Sequence, residues 1–597
     1  LDFSTATGNV DFAVTGTLIL DGEDASNRAI VSSDNDSRID FDVTSSGVLN
    51  ADYFTFQYPN TDGLSITGSG TQVISYGAFD YPANGGGLLK LSSATDLPTE
   101  ITGCTFGNTG SASSPKNVIA DGTTDLVTFT SYGGSLATDA STAIANETDP
   151  SNKIFWFNNI WYSSGNQTPT DLSKWWSTNG GAGLNPSDFT TSAHKFIVQS
   201  GDTYTATGAW SVSGEIEVDG ELVTGAYTTT MAGATDIDGT LTITSGGIYD
   251  ANGAFDATGG TIAQAGTSRL QMSGTVTGLG SNLDASAGTV EYDGGAQDVF
   301  VDDYYHLVIS GGATKTLGGT TNVGGDLTVT ATGTILDVNT RTMDVNGTSA
   351  ISSSGKVTIS TGTYDADGIM NCTASLEFTD AGSLNLSNTV TDLGTFTKGT
   401  STVTYDEADA QAVDNVTYHH LIIDQNGTKT AAGDLDIDGN LTFTNSATLD
   451  MDDDDNRTLD LEGDFTITSG TFLARAGNHN IEGDWDCSGG TFQSTSEGTV
   501  TLESSSARTI TTGGSNSFYN LTIAGAVSTN TSNDVVVENL LTINASKSLT
   551  VSPGDVMTLE DATVSGTLTV DADGSNDATL DFSTATGNVD FAVTGTL

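Results

Sequence analysis

The residues of this chain best suited to chemistry are an adjacent carboxylate pair at Asp302-Asp303, the histidines His306 and His419-His420, and three acidic turns. A carboxylate beside a base could move a proton next to an acidic group, as a lyase must. The seven Arg and ten Lys are scattered, however, and none sits in a catalytic spacing. No Gly-x-Ser-x-Gly elbow, phosphate-binding Gly-rich loop or His-Glu-x-x-His pair occurs. His306 and His420 precede Leu307 and Leu421 at matching places, and Asn520 stands there before Leu521. A metal site would not exchange its ligand for Asn, so these imidazoles are expected to be polar strand-end residues. The chain is expected not to be an enzyme.

The acidic turns each follow an apolar strand: Asp571, Asp573 and Asp577; Asp21, Glu23 and Asp24; and Asp452 to Asp455, including Asp452 and Asp454. Each carries closely spaced acids followed by Asn. Calcium takes six to eight oxygens from carboxylates, carbonyls and water. It is the one ion these turns could hold, although none fits a twelve-residue EF-hand loop. The alternative is a solvated Asp-rich turn that keeps neighbouring fibres apart. No other cofactor is expected. Cys104, Cys372 and Cys487 are odd in number and far apart, which suits buried small hydrophobes rather than a disulfide framework.

Composition narrows the elements that could position these groups. Seventeen Lys and Arg stand against 75 Asp and Glu, a formal charge of −58, and 36% of residues are hydrophobic. Such a balance often means disorder, but regular apolar alternation runs along nearly the whole chain. Of the acids, 60 are Asp and 15 Glu. Asp favours turns and Glu favours helices. With 72 Gly and eight Pro, the profile is one of short strands joined by tight turns. The charge opposes nucleic acid, whose phosphates need clustered cations. No stretch approaches the roughly 20 apolar residues needed to insert as a membrane helix.

Repetition supplies the architecture. Leu307 to Leu327, Leu421 to Leu441 and Leu521 to Leu541 are each 20 residues apart, each Leu opening an alternating strand. Leu441 to Phe465 is 24 residues and Phe465 to Trp485 is 20. A coil of 20–24 residues holding several short strands is one rung of a β-helix, and a rung cannot bury its inward face alone. The expected fold is therefore all-β, a right-handed parallel β-helix (β-solenoid). Its core would include Leu307, Leu327, Leu421, Leu441, Leu521 and Leu541. One aromatic-rich irregular segment interrupts it. Four of six Trp lie between Ile154 and Trp176, and the surrounding stretch, about 145–190, also carries Pro150, Pro169 and Pro186. This gives three expected segments: solenoid over 1–150, a junction or cap over 151–190, and solenoid over 191–597. Trp156, Trp161, Tyr162, Trp175 and Trp176 are the junction residues, read as a plug, a subunit contact or a sugar-stacking platform.

Patterns such as Gly325-Asp326-Leu327-Thr328-Val329, Phe518-Tyr519-Asn520-Leu521-Thr522-Ile523 and Gly463-Asp464-Phe465-Thr466-Ile467-Thr468-Ser469-Gly470-Thr471 resemble the repeats of giant bacterial cell-surface, adhesin-like β-helix proteins. The resemblance covers 190–597 well and 1–150 loosely. It implies architecture and an extracellular or cell-surface location, and carries over no catalytic residue. Hydrolases on such folds also need Gly-His-Gly and Arg-Ile-Lys elements, which this chain lacks. Leu1 to Leu18 returns letter for letter as Leu580 to Leu597, as expected of one window in a tandem array. The expected function is a structural extracellular filament, sheath or stalk, with head-to-tail copies of itself as partner. The alternative is an adhesin binding glycans or cells through the solenoid surface.

Overall fold

The computed structural model describes all residues except 4–5, 7, 34–36, 93–96, 123–125, 139, 151–152, 158, 182–183, 280–282, 284–286, 453–454, 495–496, 515, 526–527, 583–590 and 597. The chain is a parallel β-solenoid of about 25 turns, 52% strand and 1% helix. It forms two compact units, Leu1–Thr242 and Ile243–Leu597. Among the described residues no helix is long and apolar enough to cross a membrane.

In the first unit each early rung gives one strand to each of three sheets. The first sheet stacks Val10–Val14, Ile39–Val43, Pro59–Ile66, Gly87–Ser92 and Lys116–Asp121 in chain order. The second stacks Thr17–Asp21, Val48–Asp52, Val73–Ser75, Glu100–Thr102, Val127–Thr130 and Ile154–Phe157; the third stacks Ala29–Val31, Phe54–Gln57, Ala78–Asp80 and Thr105–Phe106. Alternation places Ile39, Phe41 and Val43 fully inside and Asp40 and Asp42 between rungs on the outer face. Some rungs here keep to the expected 20–24 residues and others are longer. Leu18 pairs with Leu49, 31 positions on, and Ala51 with Ile74, 23 on. The added residues form turns, which a stack tolerates as long as strand register is kept.

A second stack begins at Ile160–Tyr162, which pairs with Lys195–Val198, and shortens its rungs. Lys195 pairs with Glu215, 20 residues on, and Glu221 with Thr240, 19 on.

In the second unit most rungs fall between 17 residues, from Val290 to Leu307, and 25, from Trp485 to Ile510. One of its sheets stacks fourteen described strands, from Asp303–Tyr304 to Thr567–Val570. The six leucines of the sequence reading are fully buried and stack directly: Leu307 on Leu327, Leu421 on Leu441, Leu521 on Leu541. The three copies of the pattern nevertheless lie in three different sheets. Each 20-residue step stays on one face, but the residues between copies are not a whole number of rungs. Aromatic rings continue the core, with Phe465 stacked on Trp485 at 4.1 Å and Phe472 on Phe492 at 6.0 Å.

Candidate functional sites on the solenoid

The aromatic segment contributes to both stacks of the first unit. Ile154–Phe157 is the last strand of one sheet, and Trp156 lies over Phe129 at 4.4 Å. Its Nε1 donates to Glu147 Oε2 at 2.5 Å. Burial pushes the Glu147 carboxyl up to about 7. Glu147 and Trp156 line a cavity of about 300 Å³ with Ile144, Ile154, Phe155 and Ser177. Trp161 is buried on the first strand of the next stack, against Phe157 and His194. Trp175 is fully buried, donates to the Pro169 carbonyl at 3.0 Å and stacks on Trp210 at 5.9 Å. Tyr162 and Trp176 exchange main-chain hydrogen bonds of 2.8 and 3.0 Å, an antiparallel bridge. The Trp156, Trp161 and Trp175 rings are therefore spent on packing.

The acidic turns hydrogen-bond to themselves. Asp24 accepts from the N–H groups of Ser26 and Asn27 and from the Asn27 amide; Asp573 accepts from Ser575, Asn576 and the Asn576 amide in the same way. The shared Asp-x-Ser-Asn sequence makes this turn, since Asp binds backbone amides two and three residues on. These bonds, from Ser26 and Ser575 above all, hold both carboxyls below the usual range. Asp21, Glu23, Asp571 and Asp577 are exposed in the same turns. Asp452 faces the Arg457 guanidinium at 3.7 Å, and Asp454 lies outside the described residues. Among the described residues no group of three or more His, Cys, Asp or Glu is arranged to hold a metal.

His306 and His420 do one job in two copies. His306 Nδ1 accepts from Asp326 N–H at 2.8 Å, and His420 Nδ1 from Asn440 N–H at 2.9 Å. Each imidazole thus satisfies a backbone donor on the next rung, which requires Nδ1 unprotonated. Burial, with His419 beside it, lowers the affinity of His420 for a proton. In the third copy Asn520 Oδ1 accepts from the Asn539 amide at 2.7 Å. Asp303 takes a hydrogen bond from Asn322 on the next rung at 2.7 Å, while burial pushes Asp302 up to about 6. Burial likewise pushes the thiols of Cys104 and Cys372 up, to about 12 and about 11.

Two further arrangements escaped the sequence reading. Lys315 and Lys429 are fully buried, each with its ammonium among main-chain carbonyls. Lys315 donates to Gly294, Ser310 and Gly312; Lys429 donates to Glu407 at 2.5 Å and to Gln425 and Asn426 at longer range. Below them Gln297 bridges the carbonyls of Met272 and Gly274, and Gln411 those of Leu386 and Asn388. The recurrence of Thr-Lys-Thr eight residues after each His-Leu was the available signal. The second arrangement is a pair of ladders, Arg28–Tyr53–Tyr76 and Arg38–Tyr58–Tyr81. Tyr53 stacks on Tyr76 at 4.5 Å and Tyr58 on Tyr81 at 4.3 Å. Arg28 donates to the Tyr76 carbonyl and Arg38 to that of Tyr81 at 3.0 Å. All four tyrosines have φ between 41° and 57°, a left-handed bend that bulky residues adopt only where the stack holds them.

Parallel rungs, in-register side-chain ladders and interior polar pins define the chain as a parallel β-solenoid. No protein-family model, no curated protein and no solved structure matches it.

Proposed function

We propose that this chain is a structural element of an extracellular or cell-surface filament, sheath or stalk, and that it is not an enzyme. The observation that carries this reading is the use made of its chemically able side chains. Histidines cap the next rung, lysines and glutamines tie successive rungs through their carbonyls, and stacked aromatics fill the core. These groups are engaged in holding one rung on another. The acid-rich exterior, with a formal charge of −58, supports solubility and spacing between neighbouring fibres. The glycan-binding alternative gains little from the tyrosine ladders, because Tyr53 and Tyr76 turn their faces to each other rather than outward.

Two measurements test the reading. Electron microscopy of the purified chain should show thin rods. Antibody labelling of intact, unpermeabilised source cells should reach the chain. Globular particles, or labelling only after permeabilisation, would count against it.

A further inference from the structure

The first stack ends at Ile154–Phe157, and among the described residues no strand pairs with the far edge of that strand. Ile154 and Trp156 face the core side of this last rung, and no further rung covers them. Ile144, on the short helix Ala140–Ala145, closes one side, and Ser177 and Thr178 close another. Between them lies the cavity of about 300 Å³. Small-molecule sites begin at this size, in a range of about 300–1,000 Å³.

The one carboxylate in the cavity wall belongs to Glu147, and its backbone is fixed on both sides. Asn117 N–H donates to the Asn146 carbonyl at 3.0 Å, and Thr148 N–H to the Val118 carbonyl at 2.9 Å. The Lys116 ammonium is engaged by the Glu147 carbonyl at 3.0 Å. The carboxylate itself takes the Trp156 indole N–H, a neutral donor. Asp149 is tied into its own turn, where Oδ2 accepts from the N–H groups of Lys153 and Ile154 at 2.5 and 2.7 Å. None of the ion pairs among the described residues includes Glu147.

An ionised carboxylate in an apolar wall with no cation beside it is costly. Burial accordingly raises Glu147 to about 7; the Trp156 hydrogen bond opposes this, the Asp149 charge adds to it and Lys116 opposes it. A cation entering the cavity would remove the cost, and the walls decide which cation. Calcium and magnesium need about six oxygens, whereas Ile144, Ile154, Phe155 and Trp156 offer carbon. An anion would meet Glu147. A sugar would need an open aromatic face, and the Trp156 ring is already packed by Phe129, Phe106 and Tyr132. An alkylated ammonium combines a positive charge with apolar surface, and carboxylate and aromatic walls together suit it.

We propose that this cavity binds a small organic monocation, an alkylated ammonium seated on the Glu147 carboxylate with its methyl groups against Ile144, Ile154 and Phe155. The inference is independent of the filament reading, which rests on the contacts between rungs.

The test is a titration of the full chain with choline, read by saturation-transfer NMR, beside dimethylbutanol, its uncharged carbon isostere. Choline should bind roughly tenfold more tightly than the alcohol at pH 8. Its affinity should fall about tenfold between pH 8 and pH 6 as Glu147 takes up its proton, while that of the alcohol stays constant. Glu147→Gln keeps an acceptor for the indole N–H; it should bring choline down to the level of the alcohol and remove the pH dependence. Ile144→Arg alters a side chain that is 45% exposed, sets a fixed cation at the cavity and should also abolish choline binding. Thermal melts check that both variants fold. Equal binding of choline and the alcohol would make the cavity merely apolar and overturn the proposal. Unchanged choline binding in Glu147→Gln, or none to the native chain at tens of millimolar, would overturn it as well.

Discussion

Tyr405 and Tyr418 meet hydroxyl to hydroxyl at 2.8 Å inside the second unit, and Tyr292 and Tyr304 do so at 3.0 Å one copy earlier. In each pair one hydroxyl accepts a backbone N–H and the other donates to the carbonyl of the same residue. Tyr405 accepts from Asp414 and Tyr418 donates back to it; Tyr292 and Tyr304 treat Phe300 likewise. The pair closes a loop that an apolar core would leave with unmatched backbone groups. Tyr405→Phe should therefore cost about 1–3 kcal/mol, the desolvation penalty of the stranded Asp414 N–H. Tyr418→Phe should cost a similar amount, and the double variant less than the sum. Urea unfolding of the three variants measures this. Strict additivity would show that the hydroxyls act independently.

Lys429→Met should destabilise the chain by about 1–3 kcal/mol, because it strands carbonyls that Lys429 now satisfies. Hydrogen exchange should report the loss first around 402–431, where those carbonyls lie. An unchanged exchange pattern there would mean that water replaces the ammonium without loss.

Acidification from pH 8 should stabilise the fold. Burial raises Glu147 to about 7 and Asp302 to about 6, and it also raises Asp344, Asp365 and Asp406, with neighbouring acids adding to it. A carboxyl raised on folding holds its proton more tightly in the folded state. Stability is then lost as pH rises through the folded value and gained as pH falls toward the unfolded one. Asp424 and Asp450, lowered on folding, act in reverse and lose their contribution as pH falls below the ordinary Asp value of 3.8. His479, held by burial at about 4, and His420, also lowered by burial, stay neutral in the folded state and lose their contribution as pH falls below the ordinary histidine value of 6.5. The melting temperature should therefore peak at about pH 6–7. A steady rise from pH 5 to 8 at fixed ionic strength would refute this, and Asp302→Asn should flatten the part near pH 6.

Gly368→Ala should be strongly destabilising, since its Cβ would lie 1.9 Å from the Gly347 carbonyl oxygen on the rung below. Gly208→Ala meets nothing within 4 Å at a negative φ and should be neutral or slightly stabilising, through the entropy of the unfolded chain. Equal melting temperatures for the two variants would be incompatible with the stacking of turns seen here.

Calcium offers a further comparison. Because Asp24 and Asp573 already bind their own turns, adding millimolar calcium at high sodium should shift the melting temperature no more than magnesium does. A shift specific to calcium, abolished by Asp571→Asn with Asp577→Asn, would assign a site to the turn. Sodium controls for general screening, whose range is about 8 Å at physiological ionic strength.

The strand pattern was legible because period-two alternation is enforced by a thin core, as Leu421-Ile422-Ile423 and Leu441-Thr442-Phe443 show. The stacking partners followed from the 20-residue step. Rung lengths in 1–150 were not legible, because turns such as Asp21 to Arg28 lengthen a rung without disturbing its strands. The interior lysines were hidden for a different reason. A charge reads as a surface residue until the carbonyls that receive it are known, and those lie 21 or 22 residues upstream as well as nearby, at Gly294 and Glu407. The tyrosine ladders were equally invisible, since only the backbone bend at Tyr53 and Tyr58 turns the rings into line.

Each rung is a closed turn bonded mainly to the rungs above and below, and the three cysteines are free and buried, so no disulfide ties distant rungs together. Pulled from one end, such a chain would yield one turn at a time, each turn of some 20 residues releasing about 65 Å of extended chain. The material would then behave less like a rigid bolt than like a long ratchet. It would absorb work over great extension, and what remained folded would keep its register for rewinding.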